Sequence, residues 1–380
     1  MSQTNNFSGT KASYRRHSEV HDIAVRFSEN KHIPFPPVGI CRNGSASLFQ
    51  AEKLDLLKQA SFTHYQVKVE LHSKDWQERF RMANTEAKKL KIPMQVCLIF
   101  GKNAADELGS FIDLCNTVFP FIEEVIVLHK DSEVTPAGLL PGILPSLQEG
   151  LHHVKIGVGT LDGFDALEHD PPEMSGAAFL TFSVHVDAHM QRTVSGIMSD
   201  ALTMAGGQEV YVSAFSRSGN DRSAENLMQQ VAGIINLIKA LIEAGAASVC
   251  AGETIGSGGM FETADAGPSA MYFLLREILS MNKGYMMVPE MKPGNSAAVI
   301  GLKAGSQHKL ILVNPTAETL NFNIEGIAGV HTARLLSPAR MLELSGNPDL
   351  FGQIERQTFA TDNNSLKFAL DSLNIAILES

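Results

Sequence analysis

Glu253 and Thr254 close a short apolar run, Ser248 to Glu253 (SVCAGE), and the chain then passes through glycines as far as Gly259. A strand that ends on a carboxylate and dissolves into glycines is how a parallel barrel delivers an acid or a base to its open mouth, with backbone a ligand can approach closely. A second acidic group lies in His64-Tyr65-Gln66-Val67-Lys68-Val69-Glu70-Leu71-His72, where polar and apolar residues alternate strictly. Side chains on a strand alternate faces. Tyr65, Val67, Val69 and Leu71 are therefore expected to meet helices, and Gln66, Lys68, Glu70 and His72 to line the lumen. Burying a lysine and a glutamate costs several kcal/mol per ion unless they pair, so a Lys68–Glu70 ion pair is one reading. The other takes Glu70 and His72 to the mouth as acid, base or binding groups. Glu253 carries the same duality: a helix cap or a partner of Lys68 or Arg217 on one side, the principal catalytic carboxylate on the other. In a closed barrel only one strand separates the eighth from the second, so Glu70 and Glu253 are expected to share part of the rim. Two carboxylates in different environments can serve as acid and base, or as acid and nucleophile.

Other strand ends add Arg42, His129, Asp162, the alternating trio His185, Asp187 and His189, and Arg217. The expected binding groups are Lys68, His72, His129, Asp162, His185, Asp187, Arg217 and Thr254, which would orient hydroxyls or stabilise developing negative charge. HVDAH invites a metal reading, and with it a metal-dependent lyase or isomerase, because its His and Asp share a strand face. The first strand lacks paired histidines, so a hydrogen-bonding array is preferred and neither metal nor cofactor is expected. Ser213 and Ser216 lack a G-x-S-x-G elbow, and no Lys-Ser/Thr follows GSGG to make a phosphate loop.

The elements that must position these groups recur in a rhythm. Eight apolar runs (VGICR, HYQVKVEL, MQVCLIF, EEVIVLH, VKIGVGT, FLTFSVHV, EVYVSAFSR and SVCAGE) each precede an amphipathic stretch, in about 250 residues, the size of a TIM barrel. A doubly wound open sheet is the competing layout, but CRNGSAS is a poor phosphate turn. After Lys283 short alternating runs separated by Gly, Asn, Asp and Pro predict an antiparallel β-sandwich. The expected division is a flexible tail over 1–18, a strand within 19–30 that joins the C-terminal domain, a (β/α)8 barrel over 31–284 and the sandwich over 285–380.

The net charge of -10 argues against nucleic acid. No apolar stretch approaches the roughly 20 residues that span a bilayer. The N-terminus lacks a signal's apolar region and the four cysteines fall at wide spacings, so a cytoplasmic protein with reduced thiols is expected. With one tryptophan and five tyrosines, a compact pocket fits better than a long aromatic-lined groove.

The order of PPVGICR, VKVEL, GVGTLDGFDAL, VHVDAH, GETIG, SAMYFLLREIL and KLILVNPTAETLNFNIEG, spanning Pro36 to about Leu336, resembles the barrel and C-terminal portions of the D-apionate lactonase family, whose architecture is related to clan A glycoside hydrolases. By that resemblance Lys68 and Glu70 match a basic and an acidic residue of the family's second strand, and Glu253 and Thr254 a Glu-Thr pair of its eighth. The chain departs from the pattern at Glu168-His169, where the family tends to show Asn-Arg. It departs again at His185-x-Asp187 in place of Gln-x-His, and at Ser257-Gly258 in place of Trp-Arg. The resemblance implies a hydrolase for a small sugar, sugar lactone or short glycoside, with a small carbohydrate or sugar-lactone ligand as its partner. The substitutions motivate the alternative, a catalytically degenerate carbohydrate-binding or scaffold protein.

Overall fold

The computed structural model describes residues 21–42, 49–186, 194–216, 223–256, 259–292 and 297–380. The chain opens with β1 (His21–Pro34) and then enters a closed barrel of eight parallel strands. The barrel strands are β2 (Val38–Arg42), β3 (Tyr65–Glu70), β4 (Met94–Phe100), β5 (Ile122–His129), β6 (Lys155–Gly159), β7 (Phe179–Val186), β8 (Glu209–Ser216) and β9 (Ser248–Glu253). A helix follows each one: α1 (Ala51–Gln59), α2 (Trp76–Leu90), α3 (Ala104–Val118), α4 (Leu139–Gly150), α5 (Phe164–His169), α6 (Val194–Ala205), α7 (Ala224–Glu243) and α8 (Ala270–Leu279). The expected TIM barrel is what the chain forms.

The helical period explains the outer ring. In α7, Met228, Val231, Ile235, Ile238 and Ile242 recur at three- and four-residue steps, which puts them on one stripe, and all are buried. Ser223 caps that helix by accepting the Asn226 N–H. The odd-numbered set of β3 meets the helices as its alternation requires: Tyr65, Val67 and Val69 lie in the same core as Leu54, Phe80 and Leu98.

The remaining strands form a second, mostly antiparallel sheet. They are β10 (Tyr285–Met291), β11 (Ala298–Ala304), β12 (Gln307–Val313), β13 (Leu320–Glu325), β14 (Val330–Leu336), β15 (Arg356–Ala360), β16 (Ser365–Leu370) and β17 (Ile375–Glu379). Together with β1 they make nine strands in the order β15-β14-β17-β12-β11-β10-β1-β13-β16. β1 pairs antiparallel with β10 and parallel with β13. Phe359 of β15 meets Phe368 of β16 edge-on at 5.2 Å although these strands stand at opposite ends of that order. The sheet therefore rolls until its two ends face each other, around a core built from Val25, Phe322, Leu310 and Phe368. Its other face, through Ile300, Ile311 and Ile377, belongs to the barrel's core.

Between β14 and β15 lie α9 (Pro338–Gly346) and a 3-10 turn, Pro348–Gln353. A buried ionic cluster stitches the two parts together. Glu277 of α8 accepts from Lys309 of β12 at 2.7 Å and from Arg334 of β14 at 2.8 Å.

Candidate active site

A parallel barrel is packed inside, so only its upper layer can meet a ligand. The lower layers of this lumen are filled. Phe179 stacks on Tyr211 at 4.1 Å, in a cluster with Cys97, Ile126 and Leu128. Beside it Gln66 donates to Gln95 at 2.7 Å and to Ser213 across the barrel at 3.2 Å, and Gln95 donates to Glu124 at 2.6 Å. Burial pushes the Glu124 carboxyl above its ordinary range, with Gln95 pulling it back. His64 is sealed into the lumen's edge against Gly39, and burial alone brings its pKa down to about 4.

Above this plug the strand ends turn polar. Gln66 spans the interior, so alternation puts Lys68 and then Glu70 on the same inner face, nearer the mouth. Both are exposed. Among the described residues no ion pair joins them, which overturns the buried Lys68–Glu70 pair: at the open end of the lumen water solvates each charge, and no pairing is needed.

Glu253 reaches the lumen by a different route. Val249 and Ala251 lie in the helix-facing core, so Ser248 and Cys250 face inward and strict alternation would aim Glu253 outward. The register with β2 runs Gly39↔Cys250 and then Cys41↔Glu253: β9 advances three residues where β2 advances two. Gly252 carries the extra residue at φ +81°. This bulge re-aims the side chain after it, and Glu253 arrives inside next to Cys41. The same turn is pinned by Thr254 N–H to the Cys41 carbonyl at 2.9 Å.

The electrostatics follow. Glu253 is half-buried, and desolvation raises its carboxyl above the ordinary range while the Lys68 ammonium draws it part of the way back. Beneath them the Cys41 thiol shares a hydrogen bond with Cys250 that lowers its pKa against the opposing effect of burial, with Lys68 assisting. Sequence reasoning missed this thiol pair. The signal was present, since Cys41 and Cys250 fall on the inward positions of adjacent strands.

The other expected groups separate. His185 is half-buried at the top of β7, its ring 5.8 Å from Phe215. His72 and Asp162 are exposed in the loops after β3 and β6. His129 has both ring nitrogens engaged by backbone: Nε2 meets the Gly101 carbonyl at 2.8 Å and Nδ1 accepts the Asp131 N–H at 3.2 Å. That fixes the ring's orientation and gives it the task of tying two rim loops together. Thr254 is fully buried. Arg42 points away from the mouth, because it shares the outward parity of Val38 and Ile40, and its guanidinium meets Glu86 of α2 at 2.7 Å, where Tyr65 also donates. Asp187, His189 and Arg217 lie outside the described residues, and with them two of the three groups of the metal reading.

Known proteins agree with this architecture. Residues 38–195 match the family model of the D-apionate lactonase TIM barrel domain. No curated protein matches the chain. Among solved structures, a GH30 endoxylanase from Clostridium papyrosolvens C71 superimposes with a TM-score of 0.65 at 10% identity, covering 94% of this chain and 99% of that one. A glucosidase from Croceicoccus marinus gives 0.64 at 7% identity over 95% and 98%. A glycoside hydrolase family 30 subfamily 8 xylanase from Clostridium acetobutylicum gives 0.64 at 10% identity over 94% and 99%. The chain is thus similar to the lactonase barrel over its first six barrel strands and shares the two-part fold of these glycosidases over nearly its whole length.

Proposed function

We propose that this protein hydrolyses a small sugar lactone at the C-terminal mouth of its barrel, with Glu253 as general base. The observation that carries the reading is the inward turn of a desolvated Glu253 beside Lys68. A carboxylate with raised proton affinity accepts a proton from water more readily than an ordinary one. That water attacks the lactone carbonyl, and the ammonium of Lys68 faces the oxygen on which negative charge develops. Collapse of the tetrahedral intermediate breaks the ring C–O bond. The departing alkoxide takes back the proton that Glu253 accepted from the water, and Glu70, the second carboxylate given to this rim, binds the sugar. His185, His72 and Asp162 supply hydrogen bonds to the sugar hydroxyls, and Asp187 and Arg217 complete that set. Likeness to the lactonase barrel supports the substrate class, and the glycosidase fold supports carbohydrate as the ligand. Four free buried cysteines favour a reducing compartment, which fits a cytoplasmic address, and among the described residues no helix is long and apolar enough to cross a membrane.

The test is acid release from a panel of four- to six-carbon aldonolactones. Glu253→Gln should lower kcat by roughly 10²- to 10⁴-fold, and the wild-type rate should rise with pH through a limb lying above the ordinary carboxylate range. Full turnover by the variant ends the assignment. The sealed Thr254 and the backbone-bound His129 reduce the polar groups the mouth can offer, and they favour a second reading, a carbohydrate-binding protein without turnover. Calorimetric binding of sugars with no acid release would select it.

A further inference from the structure

Lys53 of α1 is 6% exposed, and its ammonium meets no carboxylate among the ion pairs of the described residues. Its Nζ donates to the Ala266 carbonyl and sits 4.4 Å from the centre of the Phe261 ring. Burial lowers its pKa, with the charges of Asp265 and Glu52 opposing. Removing an ammonium from water without a counter-ion is a costly placement, and nothing in the helix requires a lysine there: the neighbours on the same face, Leu54 and Leu57, are apolar.

What the ammonium grips is the segment that folds back over Glu253. Met260 donates its N–H to the Glu253 carbonyl at 2.9 Å, and Phe261 donates to the Thr254 carbonyl at 3.0 Å. The Phe261 carbonyl accepts the Gly256 N–H at 2.9 Å. Residues 260–261 therefore pair with 253–256 much as a short strand would, and their side chains are buried. Ser269, at the start of α8, fastens the base of this segment by donating to the Gly259 carbonyl at 2.7 Å. On the far side Gly267 lies so close to α9 that a Cβ would come within 1.7 Å of the Ser345 carbonyl. The loop is held from α8 and α9 by contacts its own backbone makes. From α1 the Lys53 side chain holds it.

We propose that Lys53 is a positioning residue for Glu253: seated on Phe261 and Ala266, it fixes the 260–261 segment whose backbone bonds set the orientation of that carboxylate. The inference rests on the catalytic role given to Glu253 above, but the mechanical link stands on contacts that can be read without turnover.

The experiment compares Lys53→Met, Lys53→Arg and Phe261→Leu with the wild-type chain, by hydrogen exchange and by lactone kinetics. Lys53→Met should speed exchange in peptides covering 253–261 by about tenfold while leaving those of α7 at the wild-type rate. It should lower kcat by about 10- to 100-fold with KM little changed. The carboxylate limb of the pH–rate profile should move toward the ordinary range as water reaches Glu253. Lys53→Arg, which keeps the cation, should restore most of each effect. Phe261→Leu, which removes the ring face under the ammonium together with its packing against Tyr272, should follow Lys53→Met. Wild-type exchange and kcat in Lys53→Met overturn the proposal, as does a loss of protection spread equally through α7 that arginine does not rescue. If the wild type turns over no lactone, or Glu253→Gln keeps full activity, the catalytic reading fails while faster exchange at 253–261 still upholds the latch.

Discussion

Replacing Gly252 with alanine tests how the site is aimed. Crowding is not the obstacle: an added Cβ would find its nearest neighbour, Met260 Cε, at 3.5 Å, an ordinary contact. The cost comes from φ +81°, a left-handed backbone that costs an L-residue about 1–2 kcal/mol. The chain has two ways to respond. It can keep the bulge and lose that stability, roughly a 5- to 30-fold change in the folding equilibrium. Alternatively it can relax to an extended conformation, restore strict alternation and swing Glu253 toward the helix side, where Val249 and Ala251 are packed. Neither response is free, so a mixture of the two is expected, with weakened turnover and a stability loss near the strain value. Gly305→Ala is the control. It has φ +60° with no atom within 4 Å of the added Cβ, in the β11–β12 turn far along the chain from the mouth. Urea denaturation followed by circular dichroism, with lactone turnover on the same samples, should show both variants losing about 1–2 kcal/mol and only Gly252→Ala losing activity. If Gly252→Ala matches the control in both measurements, the strained bulge is kept whole and the expected reorientation of Glu253 is wrong.

Two further outcomes concern the frame around the site. Glu277→Gln removes one partner of a buried charge cluster and leaves Lys309 and Arg334 less compensated, so it should cost about 3–5 kcal/mol in denaturant. Burial alone would raise the Glu277 carboxyl, but Lys309 and Arg334 outweigh it and hold it below the ordinary range. The group's contribution is therefore complete above the ordinary carboxylate pKa and disappears as pH falls through the lowered one. Wild-type stability should drop over that acid window and the variant's should change less; parallel curves would show that the cluster does not link the two parts. Gly39→Ala puts a Cβ 2.1 Å from His64 Nε2 inside the sealed lumen. Overpacking of this kind should cost about 1–3 kcal/mol, measured by thermal unfolding, and an unchanged melting temperature would mean the lumen floor is looser than its packing implies.

The fold was legible because its signal repeats. Eight apolar runs, each followed by an amphipathic stretch, leave little choice of architecture, and runs such as MQVCLIF and SVCAGE coincide with β4 and β9 to the residue. The second sheet was legible in its strands and less so in its connections. The alternation in EVHDIAVRF marks a strand, but its parallel pairing with β13 depends on how distant pieces meet. α9 escaped notice although Ser337-Pro338, a cap followed by proline at the first helical turn, announces it.

The site was legible only where alternation holds. On β3 it holds, and Gln66, Lys68 and Glu70 fall on the inner face as their spacing says. What alternation does not give is depth: the same face runs from a sealed Gln66 to an exposed Glu70, so the lysine and glutamate that looked as if they needed each other do not. On β9 alternation fails, because a left-handed glycine inserts one residue and reverses the parity of everything after it. Glu253 was picked out as a strand-end carboxylate, without the step that turns it inward. The consequence reaches the chemistry. A glutamate delivered by regular pleating would stand beyond Cys250 in line with its own strand, whereas the bulge moves it beside Cys41, into the reach of Lys68 on the next strand but one. The raised proton affinity of Glu253 and its cationic neighbour thus have a single structural cause, the conformation of Gly252.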